Sequence, residues 1–552
     1  MIKSSLKICL NLRRKSLLSV LFLVIASSSF VEATAQEPAA DSDSSKEKYG
    51  IWVAGEDDEG KRLQQMRLRV YPQAAAIPAF KHRLIPAAND RVDGNAAIFY
   101  LKARGFFEQS RAQEQLAKLL RKWSDEATDE QRKLGDYPPY VWKEIEPESL
   151  PKEKVAQYLR LHSFQPEILY DAARRTRFEH DRAIERESNP IGYLLPSIQQ
   201  HRQLARVQSL RCRFAIAEGR IDEAVEIVGQ IMAMGVHLGT DEFLVSTLVG
   251  VALHGIGTDA GLMLSQQPET PNLYWALAAC PDPAIDLKRA FAWERQFLLA
   301  QMPLLREVNE EIRSSDFWVD FTKRFAKVLN EFTKEYRDSF NQTSIEGWDE
   351  LRIATTIARD YPAARDFLHE VYGMSEEKLD QYTKTQIVFL TIIKYNEFAQ
   401  DEAYKHFVVP FATRTQANSS GIKRGSDLME MWSERFSHSG QEPISSSILS
   451  LGDVLVAPSE HVVAAAAAAQ QRQNLWQTVE ALRLTAAENG GKLVESLDEL
   501  SVPAPLDPGT NKPFEYESDG KVATLRASKI NWHGREIKVE LMSRDEQKED
   551  NQ

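Results

Sequence analysis

Residues 204–238 read LARVQSLRCRFAIAEGRIDEAVEIVGQIMAMGVHL, and this stretch decides the fold class. Helical periodicity continues to Glu218-Gly219, where glycine can adopt the left-handed conformation that ends a helix. Asp222 and Glu223 then begin a second helix, because their charges complement the positive N-terminal end of the helix dipole. Two helices with so short a connection pack antiparallel. The stretch therefore predicts a helical hairpin in a mainly α-helical chain.

This hairpin resembles one tetratricopeptide unit through its turn. The matching positions are Gly219, Asp222, Glu223 and Ala224, whereas the first helix lacks the large aromatic residue and the small glycine of that family. No second copy follows at the family's repeat length of about 34 residues, and a solenoid needs about three units. We expect an irregular array of helical hairpins with a small C-terminal α+β module.

Residues 243–264, FLVSTLVGVALHGIGTDAGLML, are the most apolar part of the chain after the N-terminus. Glycines interrupt the run, and His254 and Asp259 break it before it reaches the roughly 20 apolar residues that span a bilayer. Small residues allow helices to approach each other closely. We interpret the segment as a buried central helix pair, and a membrane-inserting hairpin is the alternative.

A stripe of aromatic residues predicts another long helix. The stripe recurs at helical spacing and consists of Phe317, Phe321, Phe325, Phe332, Tyr336 and Phe340. Residues at such spacing share one face of a helix. The stripe is typical of a core, and a groove for a partner helix or an apolar ligand is the alternative.

The N-terminus has the pattern of a secretory signal peptide. Basic residues precede the apolar run LLSVLFLVIA at residues 17–26, and the small triplet Ala33-Thr34-Ala35 follows. This pattern predicts cleavage after Ala35 by the general secretory route. The apolar run is shorter than a membrane span, and an uncleaved anchor is the alternative. We expect an exported protein of the periplasm or another extracytoplasmic space, with no stable membrane span after cleavage.

Charge and cysteine content narrow the classes of partner. Residues 1–35 carry five basic residues and one acidic residue, so their removal changes the net charge from −12 to −16. Nucleic-acid binding depends mainly on Lys and Arg that neutralise phosphates, so we expect no nucleic-acid partner. Cys212 and Cys280 have a spacing that fits no zinc or haem motif. A disulfide between them and two buried thiols are both open.

Composition divides the chain into six predicted segments. They are a signal peptide at 1–35, a disordered spacer at 36–48, a helical body at 49–417, a Ser- and Gly-rich linker at 418–458, a module at 459–542 and a disordered tail at 543–552. In the module, Ser459 caps a helix that six alanines favour, and Gly490-Gly491 end it. The segments FEYE, KVATLRA and IKVELM predict a small antiparallel sheet.

The C-terminal module resembles the soluble end of type II secretion pseudopilins, in which a long helix precedes a proline-rich segment and a small sheet. The matching residues are Gly491, Ser496, Leu497, Glu499, Leu500, Pro505, Asp507, Pro508, Pro513 and Tyr516, and Val494 stands where that family has proline. No prepilin leader precedes the helix. The resemblance implies a separable docking domain. The alternative is a helix that packs into the body through Leu475, Val479 and Leu482.

The larger part of the chain resembles a family of uncharacterised exported helical proteins of planctomycete-type bacteria. The resemblance is carried by Asn95-Ala96-Ala97 with Tyr100, residues 189–205 with Leu194-Leu195-Pro196, residues 217–220, Leu248-Val249-Gly250 and PNLYWAL at residues 271–277. It implies an architecture and a location but no activity.

No catalytic or cofactor motif is found in the sequence. The P-loop, dinucleotide-binding, nucleophile-elbow and HExxH patterns are all absent. The densest polar cluster contains Glu179, His180 and Asp181, but consecutive helical residues point in different directions. We interpret it as an exposed or salt-bridged helix segment, with a metal site as the alternative.

Four weaker candidates remain. Asp366 with His369, and Glu402 with His406, could each supply half a metal site. Asp507 and Asp519 alone supply too few oxygen ligands for a calcium site. The PNLYWAL corner with Trp275 packs on the apolar segment or lines a binding pocket.

These observations favour an exported, non-enzymatic interaction or scaffold protein. No catalytic, cofactor-binding or metal-ligating residue is assigned, and the expected partner is a protein of unknown identity. The alternative is a periplasmic enzyme whose active site is assembled from distant helices, which a sequence motif would not reveal.

Overall fold

The computed structural model describes residues 49–56, 60, 62–105, 111–128, 141–180, 190–340, 347–416, 420–437, 447–449, 451–454, 459–530 and 533–543. The predicted signal peptide, the spacer and most of the predicted tail lie outside the described residues. Within these ranges, helices dominate and a small sheet includes the last strands of the chain, which confirms the mainly α class.

The helices, in chain order, are α1 (Ala96–Arg104), α2 (Arg111–Glu126), α3 (Lys152–Arg160), α4 (Gln165–Ala173), α5 (Pro190–Ala217), α6 (Ile221–Gly239), α7 (Leu244–Leu264), α8 (Tyr274–Ala278), α9 (Lys288–Glu294), α10 (Phe297–Gln301), α11 (Ser315–Phe340), α12 (Glu350–Glu370), α13 (Glu376–Leu379), α14 (Lys384–Val408), α15 (Phe411–Gln416), α16 (Ser420–Ser437), α17 (Leu451–Val454) and α18 (Ser459–Glu488). The strands are β1 (Val53–Glu56), β2 (Arg62–Val70), β3 (Val92–Asn95), β4 (Arg175–Arg177), β5 (Glu515–Ser518), β6 (Val522–Ile530) and β7 (His533–Leu541).

The main sheet joins the two ends of the chain. Its strand order is β1-β2-β7-β6-β5, and β2 pairs with β7 in parallel from Leu63 opposite Gly534 to Val70 opposite Leu541. The predicted hairpin of β5 and β6 is present and antiparallel. The predicted antiparallel sheet of the C-terminal module is therefore present in β5, β6 and β7. The N-terminal strands β1 and β2 extend it through one parallel pairing, which the sequence did not predict.

Helix α18 belongs to the body of the protein. Its Leu475, Val479 and Leu482 are buried in one cluster with residues of the sheet and of helices α6 and α7. The structure thus has the alternative arrangement, in which this helix is a core element, instead of a separable docking domain. The domain boundaries themselves stay a prediction.

A fully buried ion pair on α18 fixes this arrangement. The Arg483 guanidinium donates to both carboxylate oxygens of Glu480 at 2.8 and 2.9 Å, and neither side chain is exposed. Arg483 also donates to the carbonyl oxygens of Tyr71 and Thr270. The Glu480 carboxylate accepts from the backbone N–H of Leu273 at 3.0 Å. One pair therefore connects α18, the segment after β2 and the corner before α8.

Helices α5 and α6 follow one another where the sequence predicts a hairpin, with a break at residues 218–220. Gly219 has a φ of 70°, and the N–H of Arg220 donates to the carbonyl oxygen of Ala215 at 2.8 Å, as expected for a helix that ends at a left-handed residue. Asp222 and Glu223 lie in the first turn of α6. The expected local reason for the break between the two helices is thus present.

The apolar segment forms one continuous helix, α7, so the predicted helix pair is wrong. Its glycines do not interrupt the helix, because they allow close packing: Gly250 and Gly257 face α6, whereas Gly255 and Gly261 face α18. A methyl group at Gly250 would lie 2.7 Å from the carbonyl oxygen of Gly235. Among the described residues, α7 is the one helix long and apolar enough to span a membrane, and 78% of its most apolar window is buried within the protein.

Two large cores organise the described residues. The central core contains residues of both chain ends and of α6, α7 and α18, such as Met66, Val249, Trp476 and Val539. The aromatic core is formed by residues between 298 and 451, which include Phe321, Phe325, Phe367, Phe389 and Trp432. A smaller cluster that includes Leu248, Phe291, Ala403 and Val462 connects them. The chain therefore leaves the central core before α10 and returns to it at α18.

The aromatic stripe and the predicted linker both contribute to the aromatic core. Phe321 and Phe325 on α11 are fully buried, which agrees with the core interpretation, and the side chains of Tyr336 and Phe340 lie outside the described part. The predicted linker at 418–458 contains α16 and α17, and Trp432 and Phe436 of α16 are buried. The prediction of a loose linker is therefore wrong for residues 420–437.

Candidate interaction surface

The candidate surface is built on a compact unit of β3, α1, α4 and β4. The strands β3 and β4 pair in parallel, with Val92 opposite Arg175. The Asn95 side chain caps α1, since its oxygen accepts from the N–H of Ala97 at 3.0 Å. The same side chain donates to the carbonyl oxygen of Glu179 at 2.6 Å and accepts from its N–H at 3.0 Å. One asparagine thus fixes both the helix start and the segment after β4.

Helices α1 and α4 pack antiparallel. The Gln165 amide at the start of α4 donates to the carbonyl oxygen of Ala103 at the end of α1, at 3.1 Å. Arg175, just after α4, stacks on the ring of Phe99 near the start of α1. On α1, Ala96, Ala97, Tyr100 and Ala103 point inward at helical spacing and are buried.

His237 of α6 connects this unit to α6 through hydrogen bonds with Tyr100 and with the backbone of Arg175. The His237 Nε2 lies 3.0 Å from the carbonyl oxygen of Arg175, and its Nδ1 lies 2.8 Å from the Tyr100 hydroxyl. A carbonyl can only accept, so Nε2 carries the hydrogen and Nδ1 accepts from the hydroxyl. Burial lowers the pKa of His237 to about 4 and raises the pKa of Tyr100. Both groups are therefore neutral and held in one hydrogen-bonding arrangement.

Phe178 lies at the centre of the rings beneath the unit. Its ring centroid is 4.9 Å from that of His180, 6.2 Å from that of His201 and 6.4 Å from that of His237. The three imidazoles therefore surround an aromatic ring and do not converge on one point. This geometry favours packing and hydrogen bonding over metal ligation.

The outer side of the unit is apolar and exposed, and we name it the α1–α4 face. It consists of Val92, Ile98, Leu101, Phe164 and Tyr170, all of them exposed large hydrophobic residues. Ile98 is 52% exposed and lies one turn from Leu101 on α1. Single exposed apolar residues are ordinary on protein surfaces, but five within one compact unit, with Phe164 just before α4, mark a candidate interaction site.

Cations lie over the aromatic rings of the same face. The Arg175 guanidinium lies 4.2 Å from the Phe99 ring centroid, and Lys102 Nζ lies 5.3 Å from the same centroid. Arg174 is 5.3 Å from the Tyr170 ring centroid. Such stacking holds long side chains in fixed positions while their charges stay near solvent.

The predicted polar cluster at residues 177–181 is only partly brought to this site. Glu179 is exposed and bonded through its backbone to Asn95, and His180 packs on Phe178. Asp181 lies outside the described residues. Within the described part of the chain, no group of three or more His, Cys, Asp or Glu side chains could hold a metal ion.

The other predicted half-sites have structural partners. His369 Nδ1 is 2.8 Å from the carbonyl oxygen of Met374, while Asp366 is exposed. Glu402 pairs with Lys405 on the same helix, and His406 Nδ1 lies 3.4 Å from Arg414. Neither pair is joined by a third ligand among the described residues.

The two cysteines are free thiols, and Asp507 and Asp519 have structural roles. Cys212 and Cys280 are both free thiols, so the structure has the two-thiol alternative, and burial raises the pKa of each to about 12. Asp507 is buried and accepts from the N–H groups of Gly509 and Ser528. Asp519 accepts from the N–H groups after the β5–β6 turn. Both carboxylates therefore serve local loop structure.

The PNLYWAL corner forms part of the central core. The Asn272 side-chain oxygen accepts from the N–H of Tyr274 at 3.1 Å, beside the start of α8. Its amide also donates to the backbone carbonyl of Glu480 on α18. Trp275 is partly buried against the ring of Phe80. The corner thus contacts α18 and the segment after β2, which the sequence pattern did not indicate.

Two residues of the site, His201 and His237, carry no signal in the sequence. They lie in α5 and α6, where single histidines among apolar residues read as core positions. The sequence indicates Tyr100 and Asn95 only through a resemblance to a protein family.

Comparison with protein-family models, with curated proteins and with solved structures gives no match to this chain.

Proposed function

We propose that this chain is an exported interaction protein that binds a protein partner through the α1–α4 face. The observation that carries the proposal is the group of exposed apolar side chains on α1, α4 and β3, next to cations stacked on aromatic rings. Aromatic residues and arginine are enriched at protein interfaces, where they supply most of the binding energy.

The rigidity of the face supports this proposal. Asn95, His237 and Gln165 tie its elements to one another and to α6 through hydrogen bonds of 2.6 to 3.1 Å. A surface that is already held in its binding geometry loses little conformational entropy on association. The unit therefore provides a fixed surface for a partner.

The charges of the face favour a partner with acidic side chains around an apolar centre. Among the described residues, the contacts of Lys102, Arg174 and Arg175 are to aromatic rings and main-chain carbonyl oxygens. These contacts leave the positive charges available to carboxylates of a partner. Asp93 is engaged by Thr176 and Arg177 and adds local polarity at the rim.

The finer architecture belongs to the same proposal. We infer an irregular array of helical hairpins in which residues 204–238 form a tetratricopeptide-like one, and arrays of this kind serve as binding surfaces. The close packing of α5, α6 and α7 supports this view. Export to an extracytoplasmic space, which the N-terminal pattern predicts, places the partner there as well.

Site-specific photo-crosslinking tests the proposal. A photoreactive amino acid at Ile98 is compared with one at Leu351, which is exposed and apolar but lies on α12. We expect one discrete protein adduct from position 98 and none from position 351 in the producing cells. The partner so identified is then purified, and its affinity is measured for the unmodified chain.

The affinity of the partner for variants of the α1–α4 face, compared with a control variant, tests the proposal further. Leu101→Asp combined with Arg174→Glu is expected to weaken binding at least tenfold, because interface anchors typically contribute about 2 kcal/mol or more. Leu351→Asp should leave the affinity unchanged. Equal adducts from both positions, or an affinity that Leu101→Asp with Arg174→Glu does not change, would contradict the proposal.

A further inference from the structure

The segment that follows β2 forms a protruding loop, which we name the Ile77 loop (residues 74–83). A turn closes its tip, since the N–H of Lys81 donates to the carbonyl oxygen of Pro78 at 2.9 Å. Ile77 is 91% exposed and Phe80 is 44% exposed. Ile77 exposes the largest fraction of any large hydrophobic side chain among the described residues.

Both ends of the loop are fixed to the central core. Before the loop, the N–H of Gln73 donates to the carbonyl oxygen of Arg483 at 3.0 Å. After it, Leu84 is buried and its backbone lies against α6, where a methyl group at Gly229 would come within 2.4 Å of the Leu84 carbonyl oxygen. The protruding tip is therefore presented by an anchored segment.

Other apolar groups surround the base of the loop. The Phe80 ring packs edge-on against Trp275 with 6.5 Å between centroids. The Tyr274 hydroxyl next to it donates to the carbonyl oxygen of Pro503 at 2.6 Å, and Leu506, three residues further, is exposed. The PNLYWAL corner and the proline-rich segment thus support this rim.

Cations directly follow the apolar tip. Lys81 and Arg83 are exposed, His82 lies between them, and the Arg83 guanidinium is 5.0 Å from the Phe80 ring centroid. The chain as a whole has a net charge of −12. An anionic surface would repel most of such a chain and attract it at this loop, which would orient the apolar tip toward that surface.

We propose that the Ile77 loop inserts its tip into the interfacial region of a bilayer that contains anionic lipids. Ile77 and Phe80 then leave water for the boundary of the acyl chains, Trp275 lies at the headgroup level that indoles prefer, and Lys81 and Arg83 contact lipid phosphates. The binding is peripheral, and it involves a surface different from the α1–α4 face.

Vesicle sedimentation tests the proposal. The chain from Gln36 onward is used, because the apolar run at residues 17–26 would itself bind lipid. We expect it to sediment with vesicles of phosphatidylglycerol and phosphatidylcholine, and to bind vesicles of pure phosphatidylcholine more weakly. Ile77→Glu should weaken binding about tenfold, since it removes one buried aliphatic side chain from the bilayer. Leu351→Glu is the matched control with unchanged binding.

The charge contribution is tested separately. Lys81→Glu combined with Arg83→Glu should abolish the preference for anionic vesicles, whereas Lys122→Glu, at another exposed position, should not. All substituted side chains are exposed, and circular dichroism checks that each variant is folded. Lack of vesicle binding by the unmodified chain at low salt would overturn the proposal. Equal binding by Ile77→Glu and Leu351→Glu, or a protein crosslink from position 77 without vesicle binding, would overturn it as well.

Discussion

The central core and the aromatic core show two ways of burying apolar surface in one chain. In the central core, helices α6 and α7 approach through Gly235 and Gly250, and a buried ion pair on α18 hydrogen-bonds to the neighbouring backbone. In the aromatic core, large rings pack edge to face, as Phe321 and Phe389 do with 4.9 Å between centroids. The first core depends on close fit and the second on the burial of large rings.

The difference follows from how the chain reaches each core. The aromatic core is formed by one stretch of the chain, so helices close in sequence can build it. The central core joins β2 near the N-terminus with β7 and α18 near the C-terminus. A core assembled from distant segments needs contacts that specify their arrangement, and close glycine contacts and buried polar groups provide such specificity.

Arg483→Met is expected to have the largest effect on the central core. It leaves the Glu480 carboxylate buried without its cation, and removal of one partner of a buried pair costs about 3–5 kcal/mol. Urea unfolding measures the loss in free energy of unfolding. Arg324→Met, which breaks a half-exposed pair with Glu307 beside the aromatic core, should cost less than about 1 kcal/mol.

The double variant sharpens this comparison. Glu480→Gln added to Arg483→Met removes the uncompensated charge, so it should recover part of the lost stability. If Arg483→Met and Arg324→Met cost the same, the buried pair would not distinguish the central core from the surface of the other region.

The second-largest effect is expected at acidic pH, where two buried histidines of the central core region lower the free energy of unfolding. Burial lowers the pKa of His237 and of His254 to about 4, below the ordinary value of 6.5. Their contribution to stability is therefore complete above pH 6.5 and is lost as the pH falls toward 4. Each shift corresponds to about 3 kcal/mol. Unfolding free energies measured across this range should fall with pH.

A variant and a control isolate the effect. His254→Gln should reduce the pH dependence, whereas His369→Gln, at a half-exposed position beside the aromatic core, should retain it. Glu294 acts in the opposite direction: burial raises its pKa to about 7, so its contribution is present below pH 4.5 and lost as the pH rises through 7. A stability that stays constant from pH 6.5 to 4 in the background of Glu294→Gln would contradict the prediction.

Local features of the fold could be predicted from the sequence. Gly219 ends α5, Ser459 begins α18, and Gly490 and Gly491 end it with φ values of 61° and 77°. These signals depend on neighbouring residues alone, through capping and the conformational freedom of glycine. The same holds for the aromatic stripe of α11, whose spacing is helical.

Long-range features could not be predicted. The pairing of Leu63 with Gly534 joins strands at opposite ends of the chain, and no local pattern specifies that register. The glycines of α7 resemble interruptions in the sequence, because their role lies in contacts with α6 and α18 that the sequence of α7 alone does not show. In the predicted linker, serine and glycine content concealed the helical spacing of Trp432 and Phe436.

The α1–α4 face could not be predicted from the sequence for a related reason. Ile98 and Leu101 differ from core residues only in the direction in which they point, and that direction is set by the packing of α1 on α4 and α5. His237 became part of the site because the Arg175 carbonyl and the Tyr100 hydroxyl meet its two nitrogens. Such convergence depends on tertiary structure, which motif searches do not detect.

The smallest expected effect tests the close fit itself. Gly250→Ala places a methyl group 2.7 Å from the Gly235 carbonyl oxygen and 2.8 Å from the Gly239 nitrogen, so α6 and α7 must move apart. Overpacking of this kind typically costs about 1–3 kcal/mol. Gly255→Ala in the same helix meets only the flexible end of Arg472 at 2.9 Å. Both variants gain about the same helix propensity, close to 1 kcal/mol, so the difference between their stabilities reports the contact between the helices.

Urea unfolding should show Gly250→Ala to be less stable than Gly255→Ala, which we expect to be neutral or slightly stabilised. Equal stabilities would mean that α6 can yield at no cost, and that close packing of glycines is not what distinguishes the central core from the aromatic one.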